Sequence, residues 1–361
     1  MPLKPRRNSH HERHRGSPMK PDTHPPRRPA APILHRIGLG VISILALLAI
    51  SALSAEAWAY PMTSFLDPAG PVAAAQKDHF IWVTLITLIV VLPAIILTPY
   101  LAWRYRYGAK KAEYRPKWEF SWVLEILIWG IPAIIVVILG IYLWTSTHQL
   151  DPYRPIAGTQ KPLRIDVVGL NWKWLFIYPD EGIATVGEMA LPVGRPVALH
   201  LTTDTVMQSF WIPALGSQIY AMPGMRTKLH LLADKPGQFR GLNTQFNGMG
   251  FEHQQFLALG LKPDGFANWV SQVKSRGVAL NAQRYGTLDK QSTRAESFAA
   301  LGTPKMPANI LYFSSVPPNF FRGIIARYLS GHALSPAQQP GTQAHGGQES
   351  PSPQGKTGLG T

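Results

Sequence analysis

Residues 204–261 read DTVMQSFWIPALGSQIYAMPGMRTKLHLLADKPGQFRGLNTQFNGMGFEHQQFLALGL. Turn formers divide this stretch at Pro223-Gly224 and Pro236-Gly237, and upstream of it Leu163, Ile165 and Val167 alternate with charged residues. Alternation with a period of two is typical of a β-strand with one buried face. Short strands separated by turns over roughly a hundred residues predict an all-β sandwich, which we place at residues 160–262.

Two apolar runs precede the predicted sandwich. Phe80–Trp103 carries no charged residue, and Val123–Trp144 carries only Glu125. Each run is long enough to cross about 30 Å of hydrocarbon as a helix. The connection between them is strongly basic, and basic loops stay in the cytoplasm. The pattern predicts a transmembrane hairpin over residues 80–148, with a cytoplasmic loop at 104–117 and the sandwich in the periplasm.

The chain has 361 residues, no cysteine and a formal net charge of +15. Without cysteine, disulfides, thiolate metal sites and lipid anchors on cysteine are excluded. On a soluble protein so high a charge would indicate nucleic-acid binding. Here, however, the basic residues are concentrated before Ile37 and in the loop between the apolar runs. That distribution is typical of a membrane protein, so we expect no nucleic-acid partner.

The N-terminal part of the chain has the layout of an export signal. We interpret residues 1–59 as a basic tail and a signal peptide, with an apolar core at Ile37–Leu53 and cleavage after Ala59. An uncleaved helix is the alternative, and a translation start at Met19 is a further open point. Residues 60–79 then form a periplasmic N-terminal segment.

Downstream of the sandwich, the spacing of apolar residues becomes helical. After Pro317-Pro318, Ile324 follows Phe320 by four positions and Phe321 by three, which is helical spacing. We therefore predict a helical extension over residues 264–330. Residues 331–361 are rich in Gln, Gly, Ser and Pro, a composition that predicts a disordered tail.

The opening stretch resembles the copper-bearing half of subunit II of the heme–copper respiratory oxidases. The family motif S-F-x-I-P-x-L-G is intact from Ser209 to Gly216, and Gly216–Met225 is similar to the quinol-oxidase branch specifically. The resemblance covers about residues 66–329 and includes the run W-K-W-L-F-I-Y-P at 172–179. It implies a cupredoxin fold for the sandwich.

The copper ligands of the family's cytochrome c oxidases are all replaced. Their second cluster is C-x-E-x-C-x3-H-x2-M, and a further His precedes the Ser-Phe pair. In this chain the six positions hold Gln208, Asn243, Gln245, Asn247, Phe251 and Gln254. Copper bridged by thiolates has no substitute ligand in amides. We therefore expect no metal or cofactor site in this chain.

Three further side chains invite a redox or metal interpretation. Trp172 and Trp174 are expected on opposite faces of one strand, where one contacts the core and the other contacts another subunit. His253 follows the replaced ligand positions, but a single imidazole cannot make a four-coordinate site. We interpret it as a solvated loop residue.

Glu125 is the one carboxylate inside an apolar run. Such a group is costly unless it reaches the interface, forms an ion pair or lines a water path. One interpretation is an interfacial carboxylate paired with Lys117 or Arg115. In the family, the matching Glu of S-x-x-x-E-x-x-x-W-x-x-P, here 121–132, lies at the mouth of a proton-uptake channel. The resemblance therefore implies proton uptake at Glu125.

The resemblance implies subunit II of a proton-pumping ubiquinol oxidase in the bacterial inner membrane, multi-pass with a periplasmic C-terminal domain. The complex would oxidise ubiquinol and reduce oxygen to water, with hemes and catalytic copper in the partner subunit I. Subunits III and IV and membrane lipid are further expected partners, and this chain would hold no complete active site. The alternative is a membrane-anchored cupredoxin-like structural adaptor without a redox role. The expected architecture is a two-helix transmembrane hairpin, an all-β cupredoxin-like sandwich and a C-terminal helical extension.

Overall fold

The computed structural model describes residues 64–107 and 120–329. The predictions for the signal peptide, for most of the basic loop and for the C-terminal tail lie outside these residues, as do Arg115 and Lys117. Within the described ranges, two long helices come first, a two-sheet sandwich follows, and four short α-helices come last. The predicted fold class is confirmed.

The two long helices are each apolar enough to cross a membrane. Helix α1 (Pro71–Arg104) starts well before the apolar run, because Pro71 suits the first helical position, where no N–H is needed. Helix α2 (Trp122–Gln149) contains a π-helical segment at Ile126–Gly130. Pro132 follows this segment; its ring would clash with the carbonyl four residues earlier, and the wider π turn relieves that clash.

The sandwich consists of a seven-stranded and a five-stranded sheet. The first contains β1 (Leu163–Leu170), β2 (Lys173–Tyr178), β3 (Ile183–Val186), β5 (Val197–Thr203), β8 (Thr227–Leu231), β11 (Val278–Ala279) and β12 (Leu311–Ser315). The second contains β4 (Glu188–Pro192), β6 (Gln208–Trp211), β7 (Gln218–Ala221), β9 (Gly237–Asn243) and β10 (Gln255–Leu261). The strand orders are β11-β12-β3-β2-β1-β5-β8 and β4-β10-β9-β6-β7. Strand β1 pairs in parallel with β5, and β4 with β10.

An aromatic core joins the two sheets. Trp174 of β2 meets Phe210 of β6 edge-on at 5.2 Å between ring centroids, and Phe210 stacks on Phe256 of β10 at 5.2 Å. All three side chains are buried. Burying a large apolar side chain contributes about 1.5–3 kcal/mol. This cluster therefore holds the sheets together beside the ends of β6 and β9.

The C-terminal extension is not purely helical. Helices α3 (Pro263–Arg276), α4 (Ala282–Asp289), α5 (Arg294–Leu301) and α6 (Phe320–Ala326) are interrupted by β11 and β12. Strand β12 pairs antiparallel with β3 and so covers an edge of the first sheet. Its five residues are too few to show a period in the sequence, which is why the prediction of a helical extension missed it.

The sandwich contacts the start of α1 directly. The N–H of Ser217 donates to Oε1 of Gln76 at 3.2 Å, and the N–H of Ala69 donates to the carbonyl of Ala214 at 2.7 Å. Gly216 lies between them with φ at +85°, and a Cβ there would come within 2.6 Å of the Ala73 nitrogen. Only glycine permits this approach, so the turn between β6 and β7 is fitted closely to the helix.

Candidate functional site

Four of the six positions that hold copper ligands in the family's cytochrome c oxidases meet at one end of the sandwich. Gln208 opens β6, Asn243 closes β9, Gln254 precedes β10, and Asn247 lies in the loop between β9 and β10. We call these four residues the amide cluster. Gln208, Asn243 and Gln254 are almost fully buried.

The side chain of Gln254 is the centre of the amide cluster. Its amide nitrogen donates to Oε1 of Gln208 at 2.6 Å. Its amide oxygen accepts from the Nδ2 atoms of Asn243 at 3.0 Å and Asn247 at 2.7 Å. The amide nitrogen of Gln208 donates in turn to the Leu170 carbonyl at 2.9 Å, which ties β6 to the end of β1. The cluster thus connects the ends of β1, β6 and β9 to the loop between β9 and β10 by hydrogen bonds alone.

The donor chemistry of the amide cluster does not fit a copper centre. Copper sites of this kind use thiolate, imidazole and thioether ligands, whereas the cluster offers amide oxygens and N–H groups. Nearly all of these amide groups form hydrogen bonds with one another or with the backbone, since buried polar groups require partners. Within the amide cluster, only Oδ1 of Asn247 is buried without a hydrogen-bond partner among the described residues. One neutral oxygen cannot hold a copper ion, so we derive no electron-transfer step here.

The other two replaced positions are peripheral to the amide cluster. Gln245 takes part through its backbone, because its N–H donates to Oδ1 of Asn243 at 3.0 Å and its carbonyl accepts from Nδ2 of the same residue. The ring of Phe251 packs against that of Phe246, with 5.8 Å between the ring centroids. His253 is exposed, and its Nε2 lies 3.4 Å from Oε1 of Glu252, as expected for a solvated residue.

The two tryptophans are placed differently from the expectation. Trp174 is in the core, but Trp172 lies in the two-residue turn between β1 and β2 with φ at +63°, not in a strand. Its Nε1 donates to the Asn247 carbonyl at 3.2 Å, and its ring lies where a Cβ on Gly250 would be. Trp172 therefore covers the loop of the amide cluster, and its unfavourable backbone conformation is held by these contacts.

Lys173 is a buried cation that the alternation of the strand does not predict. Its Nζ donates to the carbonyls of Asn171, Lys290 and Ser292 at 2.9–3.0 Å. Burial lowers the pKa of the Lys173 ammonium to about 7, although the carboxylates of Asp289 and Glu296 act in the opposite direction. The connection between α4 and α5 closes over this side chain, and so fastens the extension to β2.

Asp204 is a second buried group that the sequence reading missed. Its carboxylate accepts from the hydroxyls of Tyr285 at 2.6 Å and Tyr328 at 2.7 Å, and from Nη1 of Arg327 at 2.5 Å. The Arg327 guanidinium also lies over the Tyr285 ring, 5.4 Å from its centroid. We call these four residues the Asp204 clamp. It ties the C-terminal extension to the end of β5, four residues before Gln208.

Glu125 is exposed on α2, directly before the π-helical segment. Its backbone N–H donates to the Ser121 carbonyl at 3.0 Å. Among the described residues its carboxylate has no partner. The helix around it is likewise exposed, and no side chain of the apolar window of α2 is buried. A carboxylate in an apolar run is costly unless it reaches water, forms an ion pair or meets polar groups of another chain.

Comparison with known proteins adds a family context to these features. A family model described as cytochrome C oxidase subunit II, periplasmic domain, matches residues 181–258. The cytochrome bo(3) ubiquinol oxidase subunit 2 of Pseudomonas aeruginosa is 44% identical over 267 residues, which cover 74% of this chain and 76% of that protein. The ubiquinol oxidase subunit 2 of Acetobacter aceti is 42% identical over 271 residues, covering 74% and 84% respectively.

Solved structures give a further match. The periplasmic domain of subunit II of the cytochrome oxidase of Bradyrhizobium japonicum aligns with 33% of this chain and 98% of its own length. Its sequence identity is 25%, and the TM-score is 0.32.

Proposed function

This chain belongs to the subunit II family of the ubiquinol oxidases, and from that premise we propose that it is the copper-free second subunit of a proton-pumping oxidase. The complex oxidises ubiquinol and reduces oxygen to water. The amide cluster is the observation that carries the proposal. Its four side chains occupy the positions of copper ligands and bond to one another, so electrons from ubiquinol have no acceptor in this chain.

The hemes and the catalytic copper then belong to a partner, subunit I, with subunits III and IV completing the complex. The support for a partner is the surface of the hairpin: the apolar windows of α1 and α2 are unburied. Apolar side chains without a covering layer require lipid or other helices around them. Both helices span the bacterial inner membrane in this proposal, and the sandwich lies in the periplasm.

Glu125 is the proposed point of proton uptake. It is placed near the cytoplasmic end of α2 by the basic loop that precedes this helix. Its carboxylate is unpaired among the described residues and precedes a π-helical segment, a feature often found at functional sites. Protons would pass from cytoplasmic water through Glu125 to the partner subunit.

Purification through an affinity tag on this chain tests the proposal against the structural adaptor. We expect the chain to bring down a heme-bearing polytopic subunit in constant stoichiometry, visible in the reduced-minus-oxidised absorption spectrum. Recovery of the chain alone from mild detergent, without heme, would favour the adaptor.

The isolated sandwich should bind no stoichiometric copper. The reason is the donor set of the amide cluster, which offers no thiolate, imidazole or thioether. The test is elemental analysis of a soluble fragment, residues 162–330, after exposure to copper and desalting. A His253→Gln version of the fragment removes the exposed imidazole and serves as the control for surface binding. Stoichiometric copper in both fragments would contradict the proposal.

A further inference from the structure

A cavity of about 240 Å³ lies where the helical hairpin meets the sandwich. Its walls come from the start of α1, the end of α2, the connection to β1 and the turn before β7. Val72, Leu150 and Ile156 form the apolar part of the lining, and Arg154, Asp151 and Ser217 contribute polar groups. Neither Glu125 nor any residue of the amide cluster lines the cavity, and neither of their proposed roles uses it.

The charged groups of the cavity are held apart. Arg154 and Asp151 are three residues apart in one turn, closed by the Arg154 N–H on the Asp151 carbonyl at 3.0 Å. Oδ1 of Asp151 accepts the Tyr153 N–H at 2.9 Å, and no ion pair links this carboxylate to the Arg154 guanidinium in the described part of the chain. A cation and an anion therefore both line the cavity without neutralising each other.

Two further side chains of the cavity, those of His230 and Ser217, have polar atoms that can bind a ligand. Nδ1 of His230 lies 3.2 Å from the Pro152 carbonyl, which leaves Nε2 for another partner. Ser217 is buried, with φ at +53°, and its hydroxyl makes no hydrogen bond to described residues. A left-handed serine is costly and persists where its surroundings require it.

The membrane-facing side of the cavity lies at the depth of lipid headgroups if α1 and α2 span the membrane. The apolar run of α2 ends at Trp144, and Gln149 at the cavity wall is five residues further on. At about 1.5 Å per residue, Gln149 is about 7.5 Å outside the hydrocarbon, and Val72 of α1, eight residues before Phe80, is about 12 Å outside it. The headgroup region occupies roughly 5–8 Å on each side.

We infer that this cavity binds the headgroup of a phospholipid that carries both a phosphate and a primary ammonium, such as phosphatidylethanolamine. The Arg154 guanidinium and the Ser217 hydroxyl receive the phosphate, and the Asp151 carboxylate receives the ammonium. A purely anionic headgroup would meet repulsion from Asp151. A choline headgroup has no N–H to donate to it. The inference rests on the proposed membrane span of α2.

Hydrogen exchange of the full chain in lipid nanodiscs tests the headgroup site. The discs contain phosphatidylglycerol alone, or phosphatidylglycerol mixed with phosphatidylethanolamine or with phosphatidylcholine. The readout is the backbone amide exchange of residues 150–157. We expect exchange to slow by at least about threefold only with phosphatidylethanolamine, because a bound ligand stabilises the closed state. Arg154→Gln and Asp151→Asn should each abolish the effect, while Arg226→Gln on an exposed loop should not.

Three results would overturn the inference: no slowing, equal slowing in all discs, or slowing unaffected by both cavity variants. A further arm adds free phosphoethanolamine to phosphatidylglycerol discs. Slowing there as strong as with the lipid would assign the cavity to a soluble compound and overturn the lipid source. Heme recovered with the tagged chain separates this inference from the proposed function. If heme co-purifies and no lipid effect appears, only the headgroup site is lost.

Discussion

We expect the Glu125→Gln variant to assemble normally and to oxidise ubiquinol about tenfold more slowly than the wild type. Glutamine keeps the size of the side chain and removes its titration. Loss of a positioned proton-transfer group commonly costs 10²–10⁴-fold, and we expect a smaller effect here because water can partly replace a carboxylate at the proposed position near the cytoplasmic surface. The measurement is oxygen consumption per heme with saturating ubiquinol.

The structure provides a physical reason for the effect. Glu125 is exposed on α2 with no partner among the described residues, although a carboxylate in an apolar span is costly. The π-helical segment that follows it widens the helix at Ile126–Gly130. Both features are compatible with a water path between the cytoplasm and a partner subunit.

Two matched variants make the Glu125 test specific. Glu125→Asp keeps a titrating group one methylene shorter and should retain more activity than Glu125→Gln. Glu252→Gln makes the same chemical change in an exposed turn of the sandwich and should leave turnover unchanged. Wild-type turnover in a fully assembled Glu125→Gln complex would instead support the interfacial carboxylate.

The Asp204→Asn variant should lower the free energy of unfolding of the 162–330 fragment by about 3 kcal/mol. Removing one partner of a buried ion pair costs roughly 3–5 kcal/mol because the other charge is left buried. In this variant Arg327 loses the carboxylate that pairs with it. The hydroxyls of Tyr285 and Tyr328 lose the charged acceptor of their hydrogen bonds. The measurement is the urea midpoint followed by tryptophan fluorescence.

A neighbouring acid limits the loss in this variant. Burial, together with the negative charge of Asp204, raises the pKa of the Asp289 carboxyl well above its usual value. Without the charge of Asp204, Asp289 ionises more readily and partly compensates Arg327. This is why we place the effect at the lower end of the range.

A double-mutant cycle isolates the contribution of the Asp204 clamp. Adding Arg327→Met to Asp204→Asn removes the orphaned charge, so the double variant should be more stable than the Asp204→Asn single variant. Asp180→Asn, in the exposed turn between β2 and β3, is the matched control and should unfold like the wild type. An unchanged urea midpoint for Asp204→Asn would show that the clamp contributes little to stability.

The two long apolar helices and the sandwich could be predicted because their signals are local. The length of an apolar run such as Phe80–Trp103 indicates a possible membrane span, and the two-residue period of apolar side chains around Ile165 indicates a strand. The residue types of the amide cluster could also be predicted to lack copper ligands, because the replaced ligand positions lie in motifs that are otherwise intact. The hydrogen bonds of the cluster could not be predicted, since they depend on the ends of β1, β6 and β9 meeting one loop in space.

The remaining features depend on contacts between distant segments. Asp204 meets residues 81 to 124 positions away, and neither end of the clamp shows a pattern of its own. Lys173 lies between Trp172 and Trp174 in the sequence. The alternation of a strand alone would therefore predict that its side chain faces solvent. It is buried because the connection between α4 and α5 covers it. Strand β12 is defined by its pairing with β3, and five residues carry too little periodicity to predict it.

Oxygen consumption by the complex purified through this chain, with two alternative electron donors, tests the central claim most directly. The amide cluster offers no thiolate, imidazole or thioether to hold a copper ion that could receive electrons from a soluble cytochrome. We therefore predict rapid oxygen reduction with ubiquinol and only background consumption with reduced cytochrome c. Comparable rates with reduced cytochrome c would contradict the account, because they would require an electron acceptor in the place that the amide cluster occupies.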